Sequence, residues 1–329
     1  KRCLPELRAL AVAPRPTSPC PPGAWRSTAM RGRQQMESLG SPTPGAGTIG
    51  TPCEKSWPSK ALAVAPVPVA AAQRTPLPPR PSHYVLRPDS DPRVDPSILL
   101  RFDPPKERRT GASIVVCPGG NYELVSMSSE GHHVAVWLNR LGITAFVLRY
   151  RCLTQGHYWP APYDDLKVAM RLIRGRATEW GLDPSRVGVI GFSAGGHLAG
   201  RAAVSRNAAV RPNLQVLVYP SIDVTKPDFW PWKADQGYPP PEESVHLHVT
   251  KDTPPAFLAV STQDKICTAK DNTEPYAARL RAAGVPVEHF VRPMGEHGHG
   301  LAGGWPKACS AWLRGRGWAA PAPRRRARL

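Results

Sequence analysis

The stretch from Val189 to Gly200, VIGFSAGGHLAG, constrains this chain more than any other, because it sets one serine between glycines at the junction of an apolar run and a run of small residues. A G-x-S-x-G turn between a strand and a helix is too tight for a Cβ at either glycine, and it lifts the serine above the carboxyl edge of a sheet. Ser193 is then a nucleophile; the competing reading is a glycine-rich turn with an incidental serine. The strand-like Val187–Ile190 before it and a helix over 194–204 after it favour the nucleophile.

The surrounding pattern supplies the sheet. Ser113–Cys117 and Ile143–Leu148 are short runs rich in β-branched and aromatic residues, as buried parallel strands should be, and further strands are expected over Leu214–Tyr219, Ala256–Val260 and Val287–Val291. Between them the spacing predicts helices over Glu130–Leu141, Asp164–Trp180, 269–283 and Pro306–Arg314. Leu166, Ala169, Met170, Ile173, Ala177 and Trp180 recur on one helical face. Alternation of this length predicts a mostly parallel central sheet with helices on both faces.

A serine hydroxyl needs a base, a group that orients the base, and donors for the developing oxyanion. The loop Cys117–Tyr122, CPGGNY, follows the first expected parallel strand, and its two glycines permit backbone N–H groups to face one point. Gly120 and Asn121 are expected to form half of an oxyanion hole and the Ala194 N–H the other half, although the same loop could be a plain strand-to-helix turn. His297 and His299, in GEHGHGL after the strand 287–291, are the candidate bases. No acidic or cysteine partner at a usual spacing makes them a metal pair, and neither metal nor cofactor is expected. His197, one turn behind Ser193, reads as a packing residue. Asp264, just past the strand 256–260, is the candidate orienting acid, and Asp223 is the alternative; either could instead cap a turn. The order Ser, Asp, His is that of α/β-hydrolases rather than of the chymotrypsin or subtilisin classes.

From about Gly111 to Trp318 the chain resembles the α/β-hydrolase superfamily, and within it the esterases and lipases related to hormone-sensitive lipase and acetylxylan esterase, the xylanase-B-like acetyl esterases. The likeness runs through VVCPGGNY, Glu130-Gly131, WLNRLGITAFVLRYR, PAPYDDLKVAMRLIR, DPSRVGVIGFSAGGHLA, DTPPAFLAV, AGVPVEHFV and HGHGL. It implies the α/β-hydrolase fold, with Ser193 as nucleophile, Asp264 as acid and His297, in the H-G of the family's loop, as base. Asn121 replaces a third glycine of the usual oxyanion loop, a position where asparagine tolerates left-handed dihedrals better than most residues. Gln263 replaces the first of two aspartates, which leaves Asp264 without its neighbouring competitor.

The expected activity is that of a serine carboxylesterase on short acyl, acetyl-type esters, with acylated carbohydrates among the candidate substrates. An oligopeptidase shares the elbow and the order of the triad, but it usually carries a separate large domain ahead of the hydrolase; a non-catalytic binding protein on the same fold would not need all three residues. Tyr122, Trp230 and Trp232 are the expected substrate contacts, the two tryptophans lying in an aromatic, proline-rich excursion over 224–252 that should cover the site.

Charge and composition mark the boundaries. The formal net charge is +18, but residues 1–80 hold 11 Lys/Arg against 3 Asp/Glu and residues 314–329 hold six Arg and no acid, leaving only +4 over 81–313. The basic balance thus belongs to the ends, and nucleic acid is not expected as a partner. Fifteen prolines and no apolar period make 1–80 a disordered segment, ahead of a catalytic domain at 81–318 and a basic tail at 319–329. The seven scattered cysteines show no pairing or zinc spacing, and no apolar run is long enough to span a membrane. A soluble protein, cytoplasmic or organellar rather than secreted, is expected, with a small-molecule ester as its partner.

Overall fold

The computed structural model describes residues 81–87, 97–225 and 237–322. The segments 1–80 and 323–329, and with them most of the expected disordered segment and basic tail, lie outside the described residues, as do Trp230 and Trp232.

Eight strands form one sheet: β1 (Ser82–Val85), β2 (Ile98–Phe102), β3 (Ser113–Cys117), β4 (Thr144–Arg149), β5 (Val187–Phe192), β6 (Gln215–Val218), β7 (Ala256–Ser261) and β8 (Val287–Arg292). Their spatial order is β1-β2-β4-β3-β5-β6-β7-β8. β2 runs antiparallel to β1 and β4, and every other pairing is parallel. Five helices complete the layers: α1 (His133–Arg140), α2 (Ala161–Gly175), α3 (Ser193–Ala203), α4 (Glu274–Ala282) and α5 (Trp305–Gly315).

Side chains alternate along each strand, so the sheet divides the core in two. Val115, Phe146, Leu148, Val189, Leu217 and Leu258 face a layer built from α2, α3 and α4, through residues such as Leu166, Leu198 and Leu280. Ile114, Val116, Val147, Ile190, Val216 and Phe257 face the opposite layer, where α1 and α5 contribute Leu138, Trp305 and Leu313. Each large aliphatic or aromatic side chain taken out of water contributes about 1.5–3 kcal/mol, so the two layers rather than local propensity hold the parallel strands. Four cysteines, Cys117, Cys152, Cys267 and Cys309, are buried in this body as free thiols.

The helices depart from the pattern at their starts. The helix expected over Glu130–Leu141 begins as a π-helical turn, Met127–His132, and becomes α-helical only at His133. The segment expected over 269–283 does the same, with a π-helical turn at Ala269–Thr273 ahead of α4. The helix expected over Asp164–Trp180 starts three residues earlier, with Pro162 tolerated in its first turn, and ends at Gly175. β1 and β2 had no counterpart among the expected strands, because apart from Leu99 their residues are half-exposed or exposed and form no continuous buried run.

Candidate active site

The site is built at the carboxyl ends of β3, β5, β6, β7 and β8. β5 delivers Ser193, the first residue of α3, with φ of 51°, a left-handed value that is costly for a residue with a side chain. The glycines around it are required sterically. A Cβ on Gly191 would stand 2.2 Å from the Gly195 carbonyl oxygen, and one on Gly195 would stand 2.1 Å from that of Cys117. Gly195, Gly196 and Gly200 each cost α3 about 1 kcal/mol in helix propensity. In return α3 packs its backbone close to β3 and to Pro220, which fixes the elbow.

His297 joins the serine to the acid. Its Nδ1 donates to Asp264 Oδ2 at 2.8 Å, which leaves Nε2 to accept the Ser193 hydroxyl, also at 2.8 Å. Asp264 is buried, and its other oxygen accepts the N–H groups of Ile266 and Cys267 at 2.8 Å each. Burial alone would raise the Asp264 pKa, but the bond and charge of His297 with these two N–H groups hold it below the ordinary carboxylate value. The loop after β8 that carries His297 is tied down by side chains: Met294 N–H donates to Ser261 Oγ at 3.0 Å, and Gly295 N–H to Gln263 Oε1 at 2.9 Å.

Of the two candidate histidines, the structure brings His297 to Ser193. His299 makes no hydrogen bond through either ring nitrogen among the described residues; its ring meets Tyr219 edge-on at 4.6 Å, and burial lowers its pKa. Asp223 caps a turn, accepting from the backbone and hydroxyl of Thr225. His197 is fully buried; its Nε2 donates to the Glu243 carbonyl and its Nδ1 accepts from Tyr122, and burial pushes its pKa down to about 3. Among the described residues no group of three or more His, Cys, Asp or Glu side chains is placed to hold a metal ion.

The loop after β3 has its backbone partly spent. Gly119 N–H donates to Glu130 Oε2 at 2.7 Å and Gly119 O accepts from Ser126, while Gly120 O accepts from Glu123 and Leu124. The N–H groups of Gly120 and Asn121 have no protein acceptor among the described residues. Gly120 and Asn121 share one cleft of ≈ 550 Å³ with Ser193, Glu130, Ser221 and His297. Ala194, second in α3, is one of the residues whose N–H has no acceptor a turn earlier in the helix. The helix dipole there favours negative charge.

Tyr122 corrects one expectation. Its φ of 55° turns the side chain inward, where it is 2% exposed and donates to His197 Nδ1 at 2.8 Å, so it supports the loop from behind and does not line the cleft. Tyr238, midway along the aromatic excursion, donates to Glu123 Oε1 on the cleft wall, whereas Val245 further along is buried against the body. The residue that sequence reasoning missed is Glu130, quoted only as part of a motif. It is buried, lines the cleft, and bonds both Gly119 and Tyr219. Its side-chain partner lies 89 residues away, so no local signal marks it.

The arrangement can move a proton from Ser193 to His297 while negative charge forms beside Gly120, Asn121 and Ala194, which is what acyl transfer requires. The chain is similar to several known esterases. The BD-FAE family model matches residues 102–225. An acetylxylan esterase of Xylanibacter ruminicola is 34% identical over 214 residues, covering 61% of this chain and 43% of that protein. The carboxylesterase NlhH of Mycobacterium tuberculosis is 31% identical over 226 residues, covering 60% of this chain and 69% of that protein. The crystal structure of an acetyl ester-xyloside bifunctional hydrolase from Caldicellulosiruptor lactoaceticus superposes with a TM-score of 0.65 at 32% identity, covering 75% of this chain and all of that one. The chain spans less than half the length of the acetylxylan esterase, and 32% of a Butyrivibrio fibrisolvens endo-1,4-beta-xylanase B that it also matches. Among the described residues no helix is long and apolar enough to cross a membrane. With its elbow, its sheet and these relatives together, the chain belongs to the α/β-hydrolase esterases, in the group related to acetylxylan esterase.

Proposed function

We propose that this chain is a serine carboxylesterase that hydrolyses acetyl and other short acyl esters, including those of carbohydrates, within a catalytic domain spanning 81–318. The observation that carries the proposal is the continuous chain of 2.8 Å hydrogen bonds from Ser193 through His297 to Asp264 at the wall of an open cleft. Ser193 Oγ attacks the ester carbonyl carbon as His297 Nε2 takes its proton. Asp264 holds the imidazole in the tautomer that leaves Nε2 free to accept, and stabilises the imidazolium. The N–H groups of Gly120, Asn121 and Ala194 receive the oxyanion; one such donor supplies about 2.7–4 kcal/mol to an acyl-transfer transition state. The alcohol departs with the proton from His297, and water repeats the sequence on the acyl-enzyme. The similarity to an acetylxylan esterase favours acetylated sugars as the substrate, with a sugar hydroxyl as the departing alcohol.

The test is a panel of p-nitrophenyl esters of increasing acyl length, with acetylated xylo-oligosaccharides, assayed on wild type and Ser193→Ala. The acetyl ester and the acetylated sugars should be turned over by wild type, and a fluorophosphonate probe should label Ser193. Full esterase activity in Ser193→Ala would overturn the proposal; preference for long acyl groups would overturn its substrate class.

A further inference from the structure

Glu130 is 6% exposed, and among the described residues no Lys or Arg forms an ion pair with it. An uncompensated buried carboxylate costs several kcal/mol, so its retention needs a reason. Its two oxygens hold two different loops. Oε2 accepts Gly119 N–H at 2.7 Å, and a Cβ on Gly119 would come within 3.0 Å of Ser193 Cβ, so this peptide rests directly against the nucleophile. Oε1 accepts the Tyr219 hydroxyl at 2.8 Å, and that hydroxyl accepts Gly300 N–H at 2.9 Å, three residues beyond His297. The Tyr219 ring also meets the ring of His297 edge-on at 5.0 Å.

We infer that Glu130 is a positioning residue for ester hydrolysis: its carboxylate locks the loop that presents Gly120 and Asn121 to the loop that carries His297, and places a negative charge where the imidazolium forms. The inference rests on the Ser193–His297–Asp264 reading above. Two roles follow from the two oxygens. Holding Gly119 N–H ties that peptide to Glu130 and leaves the next two N–H groups, on Gly120 and Asn121, for the oxyanion. Binding Gly300 through Tyr219 limits the travel of His297 relative to the same loop. The titratable groups facing Glu130 are Tyr219 from the end of β6, Tyr150 from the end of β4 and His297 from the loop after β8, with Asp264 and His299 beyond them. Burial raises the Glu130 pKa, and the bonds from Tyr219 and Gly119 together with the charge of His297 pull it back.

Two variants separate the roles. Glu130→Gln keeps the shape and one acceptor for Gly119 but removes the charge; Tyr219→Phe keeps the charge but cuts the link to Gly300. With p-nitrophenyl acetate, and with active enzyme counted by fluorophosphonate titration, Glu130→Gln should lower kcat by about 10- to 100-fold with KM nearly unchanged. The acid limb of kcat/KM should move to lower pH, since the protonated histidine has lost a stabilising anion. Tyr219→Phe should lower kcat by a smaller factor and leave the acid limb in place, and the double variant should be no worse than about the Gln variant alone. An unchanged kcat and acid limb in Glu130→Gln overturns the inference even if its Tm falls. If the Gln variant does not fold, Tyr219→Phe decides, and an unchanged kcat there overturns it. Wild type that neither labels at Ser193 nor hydrolyses the ester would instead remove the reading on which the inference stands.

Discussion

Ser193 stands at the end of a strand buried on both faces, where backbone atoms leave no room for a Cβ on its flanking glycines. His297 stands in a half-exposed loop after β8, whose backbone is fastened by side chains of Ser261, Gln263 and Tyr219 from neighbouring strands and turns. Ser193 is therefore held by packing, and His297 by hydrogen bonds that cross between elements. Packing of this kind is lost all at once, because interiors near crystal density have little give. Side-chain ties can be cut singly, each worth about 0.5–1.5 kcal/mol.

The largest expected effects lie where the two regions meet. His297→Ala should lower kcat/KM by on the order of 10⁴ or more, and Asp264→Asn by on the order of 10² to 10⁴. Combining either with Ser193→Ala should add little, because the three act as a unit; additive losses in steady-state assays would break the comparison at its root. Next in size is the elbow. Gly195→Ala would gain about 1 kcal/mol in a solvent-exposed helix. Here the new Cβ meets the Cys117 carbonyl, so we expect a net loss of about 1–3 kcal/mol, with activity falling alongside stability in urea unfolding. A variant of unchanged stability would show that α3 can slide away from β3.

Smaller effects should come from the fasteners. Ser261→Ala leaves the N–H groups of Met294 and Gln263 without their acceptor and should cost about 1–3 kcal/mol. Its kcat should fall by more than its folded fraction does, since the loop loosens before the sheet. A loss of kcat no larger than the loss of folded protein would mean that the loop is held some other way. The smallest effect concerns pH. The Asp264 carboxyl is held below its ordinary value, so the unfolded chain takes up the proton first as pH falls. Its stabilising contribution is complete above the ordinary aspartate range and is lost as pH drops through the folded value. Any Tm advantage of wild type over Asp264→Asn should therefore shrink between about pH 6 and pH 3, and a gap that widens would contradict the sign.

The same contrast explains what could be seen in the sequence. β3 to β7 were legible because parallel strands covered on both faces need continuous apolar runs, and VVC, FVL and AFLAV supply them. Of the residues proposed for the triad, Ser193 and Asp264 each follow such a strand, whereas His297 follows β8, an edge strand with exposed residues. β1 and β2 were not legible, since strands without a buried run carry residues such as His83 and Arg101 that any loop might hold. The choice between His297 and His299 needed a resemblance, as two residues of one turn differ only in where the chain points them. The inward rotation of Tyr122 and the partners of Glu130 were invisible for a related reason: both depend on dihedrals and contacts that no spacing encodes.

The four buried thiols give this fold an internal clock. Burial pushes the pKa of Cys117, Cys152, Cys267 and Cys309 upward, so each is held as an unreactive thiol while its surroundings stay closed. They sit at the end of β3, after β4, beside Asp264 and within α5. A small alkylating reagent should therefore modify each of them at the rate at which its own part of the molecule opens, so that alkylation followed by peptide mapping would time the loosening of the Ser193 layer and the His297 side separately.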